Sequence, residues 1–249
     1  MSSAAVKELL LFGDDAKTFA QFIADTAPVG WWKLNDASSP AVNSGSAGTA
    51  INMTGTSVTF QQTGKLGATD AVSLDGANSR LQTANNAALA NPTTWEFAFL
   101  VNPNSAGESS QGKFFSWGNA FSDTIHHFEF GSGLTAVRTQ IWNAAGSSFA
   151  SSTTTGLTAS TWAWVFCAYD DSGDRKAHLY KGISGVAAEY AYSLQVALTG
   201  TYKTPTQALN LFNTSNQTLT FDGLADEVLY WNRNLTANER TQITALSGV

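Results

Sequence analysis

Trp95-Glu96-Phe97-Ala98-Phe99-Leu100-Val101 sets Trp95, Phe97, Phe99 and Val101 on one side and Glu96 and Ala98 on the other. A period of two is the mark of a half-buried strand, because a helix repeats every 3.6 residues. Residues 162–169 carry the same alternation with both sides apolar: Trp162, Trp164 and Phe166 face one way, Val165, Cys167 and Tyr169 the other. Such a strand is expected to be covered from both sides. Asp170-Asp171-Ser172-Gly173-Asp174 then has turn composition, and residues 176–181 return as the hairpin partner.

Working outward, segments of the same kind recur between Gly, Asn, Ser and Asp clusters at residues 30–34, 58–61, 71–74, 80–83, 113–117, 125–130, 136–142, 188–196, 209–213 and 226–231. The Ser/Thr-rich patch at residues 151–155 reads as a loop. So many short, evenly spaced strands predict an all-β fold, a two-sheet antiparallel jelly-roll sandwich. Short helices close both ends. Asp14 and Asp15 stand where a helix over residues 15–25 would be capped, with Phe19, Phe22 and Ile23 on one face. Thr236 and Glu239 have capping-box spacing ahead of Ile243 and Leu246. The chain thus divides into a helical arm, residues 1–27, and a jelly roll, residues 28–249.

Composition narrows the function. Of 249 residues, 13 are Lys or Arg and 19 are Asp or Glu, a net charge of −6 with no basic cluster, which argues against nucleic acid as a partner. The single cysteine, Cys167, excludes an intrachain disulfide and a cysteine-based zinc site. No apolar run is long enough to cross a membrane as a helix, and residues 9–12 are too short and too closely flanked by acids for a signal peptide. Gly131-Ser132-Gly133-Leu134-Thr135-Ala136 imitates a dinucleotide fingerprint, but the alternation resuming at Val137 makes it a hairpin turn. Gly107 to Lys113 imitates a phosphate loop, but Phe114 stands where a Ser or Thr is required.

Several motifs together, Pro28-Val29-Gly30-Trp31-Trp32-Lys33-Leu34-Asn35, Ala71-Val72-Ser73-Leu74-Asp75-Gly76, the strand at Trp95 and the hairpin from Trp162 to Gly182, resemble the LamG-like family of concanavalin A-like jelly rolls. The closing run Phe221-Asp222-Gly223-Leu224-Ala225-Asp226-Glu227-Val228, followed by Tyr230, Asn232, Leu235, Thr236 and Glu239, is similar to that family's closing signature. The resemblance implies two antiparallel sheets, one concave, with a terminal helix. It also implies a structural calcium as the one candidate ion, with Asn35, Asp36, Asn43 and Asp226 as the oxygen donors; no cofactor is required. Chains of this family with a helical arm and no export signal resemble structural proteins of tailed bacteriophages. The implied role is a virion protein assembled in the host cytoplasm, a capsid decoration or tail-associated homotrimer bound to the major capsid or tail protein. Phe19, Phe22 and Ile23 would then dock the arm on a neighbour.

The alternative is a carbohydrate-binding module or adhesin for cell-surface glycans. Trp117 and Trp142, near strand ends, are its candidate stacking residues. His127 and Glu129 share a strand face but are too few for a transition-metal site, and His178 stands isolated. No strand carries acids at alternate positions, the pattern of the superfamily's hydrolases, so the chain is expected not to be an enzyme.

Overall fold

The computed structural model describes residues 17–89, 92–118, 126–131 and 133–249. Elements are numbered along the chain. Sheet 1 contains β1 (Gly30–Trp32), β3 (Thr59–Gln62), β4 (Ala71–Asp75), β6 (Thr94–Ser105), β11 (Ala163–Asp170), β12 (Ala177–Ile183), β13 (Val186–Glu189) and β16 (Asp222–Trp231). Its order is β13-β12-β11-β6-β16-β4-β3, with β1 paired to the far end of β16. Sheet 2 contains β2 (Thr54–Thr56), β5 (Arg80–Thr83), β7 (Lys113–Trp117), β8 (His126–Phe130), β9 (Val137–Trp142), β10 (Ser148–Thr153), β14 (Tyr192–Gln195) and β15 (Leu209–Leu211). Its order is β14-β10-β9-β8-β7-β15-β5-β2. The paired strands are antiparallel, and together the two sheets make the expected jelly-roll sandwich.

The inner faces meet in an aromatic core. Phe97 stacks on Phe115 at 4.6 Å between ring centroids, Phe114 on Phe128 at 4.5 Å, and Trp95 meets Trp117 edge-on at 5.9 Å. Alternation is obeyed in β6 and β11: Trp95, Phe97, Phe99 and Val101, with Val165, Cys167 and Tyr169, lie in this core. The other face of β6 is not the solvated one that a half-buried strand implies. Ala98, Leu100, Trp164, Phe166, Leu229 and Trp231 form a second apolar layer on the outside of sheet 1.

Two helices cover that layer, α1 (Phe19–Asp25) and α2 (Ala237–Leu246). The cap of α1 is Thr18, whose hydroxyl accepts from the Gln21 amide in a capping box; Asp14 and Asp15 lie outside the described residues. Phe19 packs on Trp164 with ring centroids 6.1 Å apart, and Ile23 is wholly buried in the outer layer, with Phe22 partly buried against it. The three residues expected to dock a neighbour therefore cover the molecule's own sheet, because Trp164, Leu229 and Trp231 would otherwise face water. The Thr26 hydroxyl accepts from Trp231 Nε1, which ties the end of α1 to β16.

α2 begins at Thr236 with the predicted capping box and is clamped by a buried ion pair. Arg240 Nε and Nη2 donate to the two Glu96 oxygens at 2.6 and 2.8 Å, and the Leu235 amide donates to the same carboxylate at 2.7 Å. The guanidinium lies 3.9 Å from the centre of the Tyr180 ring. Gly182 in β12 makes the approach possible, since a Cβ there would stand 2.3 Å from Thr244 Oγ1.

Two segments differ from expectation. Ser148–Thr153 is strand β10 and overlaps the patch read as a loop; its Ser, Ala and Thr side chains suit a sheet face but carry little hydrophobic period. Residues 188–196 are two strands: the chain leaves sheet 1 after Glu189 and enters sheet 2 at Tyr192, turning at the buried Tyr190.

Candidate functional site

The outside of sheet 2 is polar where the outside of sheet 1 is apolar. Cross-strand register sets Gln140, His127, Ser116, Asn210, Gln82 and Thr54 directly opposite one another on six successive strands, β9, β8, β7, β15, β5 and β2. With strands about 4.8 Å apart, this row is about 24 Å long. Its middle is buried, and Gln140, Gln82 and Thr54 at its ends are open to varying degrees. Gln82 Nε2 donates to Asn210 Oδ1 at 2.8 Å, which joins two of the amides.

Beside this row Glu129 stands between two cations. Lys113 and Arg138 are its direct partners on the neighbouring strands. Arg138 Nε donates to Glu129 Oε1 at 2.8 Å, and Lys113 Nζ contacts Oε2. The Lys113 and Glu129 side chains are 5% and 1% exposed, whereas Arg138 is 29% exposed. Burial, with Arg138 close by, pulls the Lys113 ammonium below its usual value, and the Glu129 contact opposes that pull. A bulge at Phe114 creates the pairing: it turns Phe114 and Phe115 both into the core and carries Lys113 round to the Glu129 face.

His127 shares this face, as alternation predicts. Its Nε2 lies 3.5 Å from Glu129 Oε1, and neither ring nitrogen has a hydrogen-bond partner. Desolvation, followed by the charges of Lys113 and Arg138, keeps the ring neutral. His126 points the other way: it stacks on Tyr202 at 4.6 Å, accepts from the Trp142 amide at Nδ1 and meets the Lys203 carbonyl at Nε2. Burial pushes it down to about 3, a neutral core histidine.

Arg138, Gln140 and Trp142 occupy alternate positions of β9 on the outer face, all partly exposed. Trp142 Nε1 is buried without a partner. Apart from Glu129 Oε2, which meets Lys113 Nζ, eight buried polar side-chain atoms among the described residues lack a partner, and four of them, Arg80 Nε, both His127 ring nitrogens and Trp142 Nε1, lie on this face. These atoms are closed to solvent, whereas Gln140 beside them is partly exposed and its side chain makes no hydrogen bond among the described residues. Trp117, expected to stack on a sugar, is 1% exposed in the core and offers no face to a ligand. Trp142 is partly exposed at the end of β9.

The four candidate calcium donors do not form a ligand set. Asn43 Oδ1 accepts from the Trp31 and Gly45 amides, and Asp36 Oδ2 from the Val42 amide. Asn35 is exposed. Asp226 is the extra residue of a bulge in β16, where its Oδ2 accepts from the Lys65 and Leu66 amides. Each of these three bonded oxygens fastens a backbone segment, the use short polar side chains find in loops, while Asp226 Oδ1 is buried without a partner. No group of three or more His, Cys, Asp or Glu side chains suited to a metal occurs among the described residues. Burial pushes Asp226 up to about 7, and Glu227, bonded through Oε2 to Trp31 Nε1 at 2.6 Å, is also raised by burial. His178, expected to be isolated, lies between Asp174 and Glu189.

No protein-family model matches the chain, and no curated protein sequence matches it. Solved structures do. Domain 4 of AbnA, an extracellular arabinanase of Geobacillus stearothermophilus solved with arabinotriose, is similar over 87% of this chain and 98% of its own, at 16% identity and a TM-score of 0.54. The Trypanosoma rangeli sialidase, solved with 2,3-difluorosialic acid, matches 90% of this chain and 33% of its own at 12% identity and a TM-score of 0.62. The binding domain of Paraclostridial mosquitocidal protein 1 matches 88% and 52% at 11% identity, also with a TM-score of 0.62. This chain therefore spans about half of that binding domain and a third of the sialidase. At these identities the likeness concerns the fold, the jelly-roll sandwich.

Proposed function

We propose that this protein is a non-catalytic carbohydrate-binding jelly roll that holds a glycan on the outer face of sheet 2, along Arg138, Gln140 and Trp142. The observation that carries the reading is the row of three partly exposed side chains on that face, among which the Gln140 amide makes no hydrogen bond within the described residues. A sugar offers hydroxyls that donate and accept, and an apolar ring face that suits an aromatic side chain; the β9 row supplies a planar cation, an amide and an indole in sequence. Side chains two residues apart on a strand are about 7 Å apart, so the row reaches more than one sugar ring. The likeness to an arabinanase domain solved with arabinotriose agrees with this reading.

Catalysis is not part of the proposal. Glu129 is held by Lys113 and Arg138, and Glu96 by Arg240. Neither is a free acid that would protonate a leaving group, and a glycosidase needs two carboxyls facing one bond. Phe19, Phe22 and Ile23, which the virion reading would dock on a neighbour, pack on sheet 1.

A glycan array probed with the full chain, followed by calorimetry on the hits, tests the proposal. Trp142→Ala and Gln140→Ala are expected to weaken binding about tenfold or more, a loss of about 1.4 kcal/mol, with the melting temperature kept. Absence of binding across the array, or affinities unmoved by both variants, overturns it. Labelled protein that decorates virions while ignoring glycans would return the virion reading.

A further inference from the structure

A second cavity lies away from this face, at the end of the sandwich where β6 begins and β16 ends. It measures about 530 Å³ and sits between the turn at Ser46, the segment leading into β6, and the last residues of β16. Its polar lining is Ser46, Thr93, Thr94, Tyr230 and Asn232, and small apolar side chains such as Val29, Ala47 and Ala88 fill the intervals. No charged residue lines it among the described residues.

The walls are tied together by backbone. The Val29 amide donates to the Tyr230 carbonyl at 2.8 Å, the Ala47 amide to the Val29 carbonyl at 3.1 Å, and the Asp171 amide to the Thr93 carbonyl at 2.8 Å. The cavity's volume lies within the range of small-molecule sites. Its polar groups are not all used internally. The Thr94 hydroxyl donates to Asp170, but the Ser46, Thr93 and Asn232 side chains donate no hydrogen bond among the described residues. Tyr230 reaches this wall from β16 with its ring packed on Phe97 in the core, and its buried hydroxyl has no partner among the described residues.

We propose that this end cavity is a separate binding site for a single neutral sugar ring. The Ser46 and Thr93 hydroxyls and the Asn232 amide, set among small apolar side chains, match a ligand with hydroxyls on its rim and an apolar ring face. The absence of a cation in the lining leaves a carboxylate or sulfate without a counter-charge, so acidic sugars are excluded by the cost of desolvating them. The inference does not rest on glycan binding at sheet 2, which uses other residues on another surface.

The test is ligand-observed NMR and calorimetry on the full chain with glucose, galactose, arabinose, N-acetylglucosamine and glucuronate. At least one neutral sugar is expected to bind and glucuronate to fail. Ala88→Phe, which fills the cavity, should weaken that binding about tenfold or more, and Asn232→Ala should weaken it less, both at an unchanged melting temperature. Trp142→Ala should leave it unmoved. Should Ala88→Phe fail to fold, Asn232→Ala with Trp142→Ala decides. The proposal is overturned if no neutral sugar binds, if glucuronate binds as well as glucose, if a folded Ala88→Phe protein or the Asn232→Ala protein binds like the native one, or if Trp142→Ala abolishes the binding.

Discussion

Each sheet carries a buried carboxylate on its outer face, and the two are put to different uses. Glu96 in sheet 1 receives both arms of Arg240 and the Leu235 amide, and the whole arrangement lies beneath α2. Glu129 in sheet 2 receives Lys113 and Arg138 from its own neighbouring strands, and no described helix covers it. The first pair joins two layers of the fold. The second sits within one layer and leaves Arg138, Gln140 and Trp142 partly exposed. A charged group on a sheet becomes a clamp when its partner arrives on another element, and part of a recognition surface when its partners are strand neighbours.

The largest effects should come from breaking sheet 1. Arg240→Ala leaves Glu96 buried without its cation and should cost about 3–5 kcal/mol, measured by denaturant unfolding. Trp164→Ala empties the layer under both helices and removes the indole bond to Ser247, with a similar expected cost of about 3–5 kcal/mol. A loss below about 1 kcal/mol in either would mean that the helices do not close this face.

Sheet 2 should respond differently. Arg138→Ala keeps Lys113 on Glu129, and because Arg138 is partly exposed the stability cost should be about 1 kcal/mol or less. Its effect belongs in glycan affinity. A cost matching that of Arg240→Ala would make the two carboxylates equivalent and remove the distinction drawn between them.

A smaller effect tests the bulge of β16. The folded protein raises Asp226 from the ordinary 3.8 to about 7, so between those values it keeps a proton that the unfolded chain releases. The stabilisation is therefore complete below the lower value and lost as pH rises through about 7. Melting temperatures should fall across that interval, and Asp226→Asn should flatten the fall. Glu239, which Arg233 draws down to about 2, works with the opposite sign and only at lower pH. Smallest of all is the response to calcium. With Asp36, Asn43 and one oxygen of Asp226 engaged by backbone amides, chelator should leave the native melting temperature unchanged; a drop abolished by Asp226→Ala would restore the ion.

Much of the fold was legible in local alternation. Residues 95–101 and 163–169 point where their period directs because burial repeats every second residue on a pleated sheet. The capping box at Thr236 and Glu239 was legible for the same reason, since its partners lie three residues apart. Residues 188–196 misled because alternation survives a passage from one sheet to the other.

The site was legible only in halves. Sequence alone set His127 with Glu129, and Arg138, Gln140 and Trp142 together, because each set lies on one strand. That Arg138 stands opposite Glu129 is a matter of register between strands. That Lys113 joins them depends on a one-residue bulge; strict alternation would have left it beside Phe115 and Trp117. Burial of Trp117 and exposure of Trp142 follow from which face the second sheet covers, as the covering of Phe19 and Ile23 follows from where α1 lands. The chain itself determined periods, caps and turns, which act over a few residues. Pairing, register and coverage were decided by the tertiary structure, because they depend on contacts between residues tens to hundreds of positions apart.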